Sequence, residues 1–337
     1  MPTLEYPKTL FEFIQWFPNE EACETYLYKS RWPDGFICPI CGDREFYHDK
    51  KRKVFRCKNN NHQTSLTAGT IMHRSRQPIL SWFLAAYLLT SETPGMSAIQ
   101  LQRQLGIKRY ETVFNLMHKL RASMVNPDRE KIGNVVEIDD TYVGGTETGG
   151  KRGRGTDKAV VIVAVERQPN GHAGRIRLRK LKNMTEGEVL SFLKDNIRQG
   201  TLVITDSFPS YQNITRNGYQ HRQVIGSGTS KTLPLAHLAI SNLKTWLKGI
   251  FHGVSKKHLQ AYLNEFVFRF NRRFYPMAGF RTLLGLSPKV KYPTYQGLYK
   301  GRMSTSEHSE KEKSMTQDMV PLRVKRKSIK NKMEDEK

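Results

Sequence analysis

The chain has 337 residues, and its 55 Lys and Arg against 31 Asp and Glu give a formal net charge of +24 at pH 7. This length suffices for two or three domains, and no apolar run of 18 residues or secretory signal pattern stands out, so we expect a cytoplasmic protein. Such an excess of positive charge favours an anionic partner, with nucleic acid ahead of a membrane surface or a purely solubilising role of the charge.

The first predicted element is a helical segment within residues 1–30, with a break at Pro18. A stretch with turns and short strands follows, and it contains three of the four cysteines of the chain, Cys38, Cys41 and Cys57. Four cysteines are too few for a disulfide framework in a chain of this length. The Cys-x2-Cys turn places two thiolates at a spacing that tetrahedral Zn²⁺ can bridge, so we predict a zinc ribbon over residues 31–72.

The fourth ligand of this ribbon is the open question. Asn60 stands where a second Cys-x2-Cys turn would have its last thiolate. His62 is the nearest alternative donor and would complete a structural zinc site of three cysteines and one histidine, with His48 in reserve. The competing interpretation is that the ribbon holds no metal and the cysteines are small buried apolar residues.

Residues 77–126 have a helical pattern with breaks at Pro94 and Gly106, which predicts three helices. The short glycine-containing turn before the third helix resembles a helix-turn-helix, whose last helix enters the major groove of DNA. The alternative is a helical bundle that only links its neighbours. The third helix and its start carry the basic residues Lys108, Arg109, His118, Lys119 and Arg121, of which Arg109, Lys119 and Arg121 are the predicted DNA contacts.

From residue 133 to residue 285 the pattern alternates as β-β-β-α-β-α-β-α, which predicts an α/β domain. The apolar sequence AVVIVAV predicts a strand buried on both faces. The glycine-rich stretch 144–158 has no helix after it, so we expect a mobile basic insertion and not a phosphate-binding loop. Residues 300–337 are polar and charged and predict a disordered basic tail.

Two of the predicted strands end in aspartate. Alternation puts Asp139 on one face of the first strand, together with Glu137 and Thr141, and Asp140 on the other face. Asp206 follows the fourth strand, and the first and fourth strands of such an order commonly lie side by side. Asp139 and Asp206 are therefore predicted to share two Mg²⁺ or Mn²⁺ ions for chemistry on a phosphodiester. The alternative for any single aspartate of this kind is a helix cap or a turn.

The sequence resembles the zinc-ribbon insertion-sequence transposases of the DDE superfamily in a series of motifs between about residues 20 and 285. They are CPICG, HQTSLTAGTIMH, WFLAAYLLT, VEIDDTYVGG, VITDSFPSYQ and GIFHGVSKKHLQAYLNEFVFRFNRR, in this order. The resemblance implies an RNase H-like mixed sheet with flanking helices in residues 133–285, preceded by the zinc ribbon and the helix-turn-helix-like module. It also makes Asp139 and Asp206 the first two metal-binding carboxylates.

The third family position is usually Glu, sometimes Asn, and is followed seven residues later by Lys. Counting back from GIFHGVS assigns His237 to this position and Lys244 to the lysine, and the two share a helix face because seven residues is close to two turns. Neutral imidazole can bind a divalent cation, with a shift in preference from Mg²⁺ towards Mn²⁺. Asn242 ranks second for this position and Glu265 third, because we expect the Glu265 carboxylate to be exposed.

Lys244 is expected to contact a DNA phosphate near the scissile bond. The basic face continues with Lys256 and Arg272 as predicted DNA contacts, and with His252, Lys257, His258, Arg269 and Arg273 around them. The alternative for Lys244 is an ordinary solvated lysine on an amphipathic helix.

Together these features predict a DNA transposase that binds terminal inverted repeats in double-stranded DNA and performs two-metal strand cleavage and strand transfer. We expect a homo-oligomer, because two element ends must be held at once, and a prokaryotic, nucleoid-associated location. Three alternatives stay open: a catalytically inactive DNA-binding derivative, a structure-specific nuclease of the same fold, and a zinc-ribbon transcription factor. The last of these leaves the strand-end aspartates without a role.

Overall fold

The computed structural model describes residues 6–126, 128–144, 158–225 and 232–285. Most of the glycine-rich stretch and the whole basic tail lie outside these residues, so the expectations for them stay predictions. Within the described ranges, no helix has both the length and the apolar character needed to cross a membrane.

The N-terminal segment forms two helices, α1 (Leu10–Trp16) and α2 (Glu20–Arg31), on either side of the predicted break at Pro18. The side chains of Thr9 and Asn19 accept hydrogen bonds from first-turn N–H groups and cap the two helices. A three-stranded antiparallel sheet follows, built from β1 (Phe46–Asp49), β2 (Val54–Cys57) and β3 (Gln63–Ser65). Its small core combines aromatic rings with two of the cysteines, namely Trp32, Phe36, Phe55, Cys38 and Cys57.

Three helices follow the ribbon, as predicted: α3 (Ile79–Ser91), α4 (Ala98–Leu105) and α5 (Tyr110–Ser123). Gly106 ends α4 in the left-handed conformation with a φ of 62°, which permits the tight turn into α5. The three helices share one apolar core with α1 and α2.

The α/β region contains a five-stranded sheet in the order β6-β5-β4-β7-β8. Only β5 runs antiparallel to the other strands of this sheet, so the predicted RNase H-like mixed sheet is confirmed. The strands are β4 (Val135–Val143), β5 (Ala159–Arg167), β6 (Ala173–Leu181), β7 (Leu202–Thr205) and β8 (Gln220–Gln223). β5 is buried along nearly its whole length, in agreement with its continuous apolar sequence.

Helices cover both faces of this sheet. α6 (Glu186–Asn196) packs on the face that carries Val136 and Ile138 of β4. α7 (Pro234–Phe251) and α8 (Leu259–Asn271) pack on the opposite face. The short helix α9 (Gly279–Leu283) instead joins the apolar core of the helical bundle, together with Phe268 from the end of α8.

A buried ion-pair cluster joins α5 to α8. Arg121 is 1 % exposed, and its Nε donates to Glu265 Oε2 at 2.7 Å, while Arg269 Nε donates to Glu265 Oε1 at 3.0 Å. Burial raises the pKa of Glu265, but the charges and hydrogen bonds of the two arginines lower it by more. The expectations that Glu265 is exposed and that Arg121 contacts DNA are therefore wrong, because each neutralises the other inside the protein.

His118 lies in the same interface and is completely buried. Its ring centroid is 4.3 Å from that of Phe114 and 5.0 Å from that of His258, and neither ring nitrogen has a hydrogen-bond partner among the described residues. Burial lowers the pKa of His118 to about 2, and the charge of Arg121 acts in the same direction. His118 is thus a neutral core residue and not part of a DNA-contacting face.

We expect Glu265→Ala to lower the free energy of unfolding by about 3–5 kcal/mol, because it leaves two buried guanidinium groups without a counter-charge. Urea unfolding followed by circular dichroism measures the change. The matched control is Glu130→Ala, since the Glu130 side chain is 82 % exposed and pairs with Arg175 at the surface. This control should cost less than about 1 kcal/mol, and equal losses in the two variants would contradict a special role of the buried cluster.

Stability should fall below about pH 6.5 because of His118. Its pKa drops from 6.5 to about 2 on folding, so the unfolded chain binds a proton that the folded chain does not. The loss from this residue is on the order of 1 kcal/mol at pH 5.5 and is absent well above pH 6.5. Urea unfolding at pH 7.5 and 5.5 should show a smaller pH effect in His118→Gln than in the original chain, whereas the exposed His172→Gln should leave the effect unchanged.

Candidate active site and zinc ribbon

The parallel pairing of β4 with β7 places the two predicted aspartates on neighbouring strands. Asp206 directly follows β7 as predicted, but Asp139 lies in the middle of β4 and not at its end, because the ladder with β5 continues to Val143. Glu137 lies opposite Ile204 in this ladder, so Asp139 and Asp206, each two residues further on, are level with each other. Ile204 packs against Leu233 and Ala236 at the start of α7. Side chains two residues apart on a strand share a face, so the two aspartates point towards α7.

The first turn of α7 brings His237 to Asp139. His237 Nε2 lies 3.2 Å from Asp139 Oδ2. Two donors bound at a right angle to one Mg²⁺ or Mn²⁺ ion, each at about 2.1 Å, are separated by about 3.0 Å. The separation in this structure therefore fits a shared cation, and the donor set of carboxylates and one imidazole suits Mn²⁺.

Asp206 also closes the turn that follows β7. Its Oδ1 accepts a hydrogen bond from the N–H of Phe208 at 3.1 Å, which is the turn alternative considered for this residue. The Thr205 hydroxyl donates to the carbonyl oxygen of Asp206 at 2.6 Å and lies 2.9 Å from His221 Nε2. These contacts fix the backbone on which the Asp206 carboxylate is carried.

The other candidates for the third position lie elsewhere. Asn242 is exposed and lies five residues after His237, about 7.5 Å along the helix axis and about 140° around it. Glu265 is enclosed in the ion-pair cluster between α5 and α8. Lys244 is exposed two turns after His237, on nearly the same side of α7. Of the three candidates, His237 is the one whose ligating atom lies beside Asp139.

Glu137 has a role that the sequence analysis did not assign. This residue is completely buried, and its Oε2 accepts hydrogen bonds from the N–H groups of Leu235 and Ala236, at 2.8 Å and 3.1 Å. Its Oε1 accepts a hydrogen bond from Arg167 at the end of β5. The sequence does show a glutamate two residues before Asp139 on the same strand face. It does not indicate that this glutamate binds the start of α7.

The predicted DNA contacts divide into exposed and enclosed residues. Arg109 at the start of α5 is exposed, as are Lys244 and Lys256. Lys119 is half-buried, with its Nζ donating to a carbonyl oxygen at 2.9 Å, and burial lowers its pKa. Arg272 lies over the Phe268 ring at 4.1 Å, and burial lowers its pKa as well.

The later part of α5 is covered by α8, because Arg121 and His118 face that helix. The start of α5, with Lys108 and Arg109, is exposed, and the N-terminal residues of a recognition helix are the ones that contact base edges. The predicted groove contact is thereby confined to the beginning of this helix.

The zinc ribbon assembles its three cysteines. The Sγ atoms of Cys38, Cys41 and Cys57 all lie within 4.8 Å of one another, and those of Cys41 and Cys57 are 3.6 Å apart. A tetrahedral zinc ion with Zn–S bonds of about 2.3 Å requires sulfur separations of about 3.8 Å, so the three thiols fit this ion. Burial raises the pKa of Cys38, but hydrogen bonds from the N–H groups of Cys41 and Ile40 lower it by more, so that it falls to about 7.

The structure does not bring His62 to the three thiols as predicted, and the side chain beside Cys38 is that of Asn60. The Asn60 Nδ2 lies 3.6 Å from Cys38 Sγ, and the Asn60 Oδ1 accepts a hydrogen bond from the backbone N–H of His62. Among the described residues, no histidine or carboxylate joins the three thiols, so the His62 imidazole is not brought to the cluster. The reserve candidate His48 stacks on Phe55 at 4.5 Å.

Two family profiles match the chain. Residues 131–271 match the ISXO2-like transposase domain, and residues 18–63 match the transposase zinc-ribbon domain. A comparison with curated proteins finds no match.

Solved structures resemble the chain at low identity. The catalytic core domain of BIV integrase is 14 % identical, with a TM-score of 0.29 over 40 % of this chain and 81 % of that one. The Mos1 transposase paired-end complex with the left transposon end is 10 % identical, with a TM-score of 0.28 over 62 % and 79 %. A pre-cleavage Mos1 transpososome is 11 % identical, with a TM-score of 0.28 over 63 % and 80 %.

We expect purified protein to contain about one equivalent of zinc, and His62→Ala to retain it, because the imidazole is not beside the thiols. Asn60→Cys should hold zinc more tightly against a chelator, since it adds a fourth thiolate at the side chain nearest Cys38. Metal analysis and chelator competition measure both effects. Zinc loss in His62→Ala would return the imidazole to the ligand set, and zinc well below one equivalent in the original chain would contradict the metal site.

Proposed function

The chain belongs to the zinc-ribbon insertion-sequence transposases of the DDE superfamily, and we propose that it binds terminal inverted repeats and catalyses metal-dependent DNA strand cleavage and strand transfer. The observation that carries this proposal is the contact of His237 with Asp139, beside a neighbouring parallel strand that leads to Asp206. Two carboxylates stand level on neighbouring parallel strands, and an imidazole from the helix above them lies 3.2 Å from the first. Hard oxygen donors with one nitrogen suit Mg²⁺ or Mn²⁺.

In this proposal Asp139, Asp206 and His237 are the residues that would hold two divalent cations. When bound, such ions stabilise the attacking and leaving oxygens of an in-line displacement. The two aspartates supply oxygen ligands from the sheet, and His237 supplies a nitrogen ligand from the start of α7. Lys244 places a positive charge two turns further along the same helix, where it binds a phosphate by charge alone.

The reaction proceeds in two displacements at phosphorus. In the first, water attacks the phosphorus at each element end, the bond from phosphorus to the 3′ oxygen breaks, and that oxygen leaves as a 3′-OH. In the second, this 3′-OH attacks a target phosphodiester, and the 3′ oxygen of the target strand leaves. Two ends must be held together, so the active form is a homo-oligomer on double-stranded DNA at the nucleoid. The zinc ribbon and the start of α5, with Arg109, bind the element ends, and Lys256 and Arg272 extend the contact to the phosphate backbone.

One observation favours a second candidate function, a catalytically inactive DNA-binding derivative of such an enzyme. The third position is His237 and not an acid, which removes one negative charge from the cation site. A nicking assay with Mn²⁺ on a terminal-repeat duplex separates the two functions, because only the enzyme produces nicks. A strand-transfer product would also exclude a structure-specific nuclease.

We expect Asp139→Ala and Asp206→Ala to reduce strand cleavage to background while leaving the affinity for element ends nearly unchanged. The carboxylates hold the cations, whereas binding depends on basic residues elsewhere. The assay uses duplex DNA with the element's own ends, in Mg²⁺ and Mn²⁺ in parallel, and fluorescence anisotropy measures binding. Asp195→Ala is the control, because this partly exposed aspartate pairs with Arg179 away from the site. Retained cleavage in either site variant would refute the assignment.

A further inference from the structure

We infer that Glu137 is a positioning residue that fixes the first turn of α7 so that His237 stays beside Asp139. This inference rests on the proposed function, because it treats His237 as a ligand of the catalytic cation. Among the described residues, Glu137 makes no hydrogen bond or ion pair with His237 or Asp139. It acts through the backbone of the helix that carries His237.

The start of α7 depends on a cap from outside the helix. Its N-cap residue is Leu233, which has no side-chain oxygen to offer, and Pro234 follows without an N–H group. The next two N–H groups, of Leu235 and Ala236, both donate to Glu137 Oε2. The N–H of His237 is the first to enter the helix ladder, through the carbonyl oxygen of Leu233. Glu137 therefore holds the two residues that immediately precede the proposed ligand.

The carboxylate suits this position electrostatically. The start of an 18-residue helix carries partial positive charge on its N–H groups, and a buried carboxylate there makes charge-assisted hydrogen bonds. Arg167 binds the other carboxylate oxygen, so the buried negative charge is compensated on both sides. A neutral amide at this position keeps one acceptor oxygen but loses the charge that both partners require.

Strand β4 thus fixes both members of the proposed ligand pair. Glu137 and Asp139 lie on the same strand face, about 6.5 to 7 Å apart along the strand. One holds the helix and the other presents its carboxylate to His237 Nε2. Apolar contacts of Ala239, Leu243 and Leu247 place one face of α7 on the sheet. The hydrogen bonds from Glu137 to two consecutive N–H groups add a directional constraint at the first turn, beside His237.

The test compares Glu137→Gln with the original chain in three measurements. We expect the dissociation constant for Mn²⁺ to rise about 10- to 100-fold, which is the usual effect of removing a group that orients a metal ligand. Calorimetry measures it on protein that keeps its zinc but has no added divalent cation. Amide hydrogen exchange in residues 234–240 should become faster without metal. Binding of element ends should change less than about twofold, because the basic residues are untouched.

A double-mutant cycle separates positioning from a general structural role. If Glu137 acts through His237, then adding Glu137→Gln to His237→Ala should change the Mn²⁺ dissociation constant less than about twofold. If the fold-increases in the Mn²⁺ dissociation constant of the two single variants multiply in the double variant, the inference is overturned, because Glu137 then acts independently of the imidazole.

Glu166→Gln is the matched control. Glu166 is a buried glutamate on β5 that accepts from the N–H of Gly133 and pairs with Arg175. It has no described contact with α7, so the Mn²⁺ dissociation constant should stay within about twofold of the original even where stability falls. An equal rise in this variant would assign the effect to lost stability and overturn the inference.

Failure of this inference is distinct from failure of the proposed function. Unchanged Mn²⁺ affinity and exchange in Glu137→Gln, with cleavage still lost in the aspartate variants, would sink the positioning role alone. Absence of cleavage in the original chain would sink the proposed function, while the exchange measurement would still decide whether Glu137 holds α7. If Glu137→Gln does not fold, Glu137→Asp takes its place in the test. This variant withdraws the carboxylate from the helix by about 1.5 Å, the length of one C–C bond. It should also raise the Mn²⁺ dissociation constant and speed up amide exchange in residues 234–240.

Discussion

Parallel pairing of β4 with β7 in the middle of the sheet is the constraint on which the candidate site depends. The pairing places Asp139 level with Asp206 although 66 residues separate them along the chain. A slip of one residue in β4 would turn Asp139 towards α6 and bring Ile138 to α7. Both faces of β4 pack against helices, so such a slip would also exchange apolar and acidic residues between two packed layers. The geometry of the aspartates is therefore maintained by the whole α/β/α arrangement.

Two acidic residues of this strongly basic chain, Glu20 and Glu137, cap helices to which they do not belong. Glu20 of α2 accepts hydrogen bonds from the N–H groups of Ile79 and Leu80, at 2.6 Å and 2.9 Å, and so caps α3. Glu137 caps α7 in the same manner from a strand, and both helices begin after residues that offer no side-chain cap. Carboxylates supplied from distant elements thus fix where these helices start, and each one ties two parts of the chain together.

Much of the fold was predictable from the sequence because local patterns specify it. Alternation and apolar runs predicted the order of strands and helices, and the β-β-β-α-β order predicted that the first and fourth strands lie side by side. The end of the first strand was predicted too early, since β4 continues past Asp139 to Val143. The clustering of the three cysteines was predictable for the same reason, since Cys38 and Cys41 share one tight turn. The position of Asn60 beside Cys38, with the His62 imidazole away from the thiols, depends on side-chain geometry in the turn after Cys57, which residue spacing does not encode.

Partners far apart in the chain were not predictable. Arg121 and Glu265 are separated by 144 positions, and a basic residue on an amphipathic helix has the same local pattern whether it faces DNA or a buried acid. The same holds for Glu137, whose partners at the start of α7 lie 98 and 99 positions away. Local periodicity carries no information about such pairs, so the assignment of Arg121 to DNA was wrong and the role of Glu137 was missed.

The interface between the helical bundle and the sheet domain also bears on distances along DNA. Beyond the Arg121 and Glu265 contact, Arg269 Nη1 donates to the carbonyl oxygen of Glu92, and Trp246 Nε1 donates to that of Pro94. The loop between α3 and α4 is thereby tied to α7 and α8. In the proposed function, a duplex gripped at the start of α5 meets the aspartates at one fixed separation. In that function, the bundle sets the distance between the bound DNA sequence and the cleavage site. This distance corresponds to a constant number of base pairs, at about 3.4 Å each.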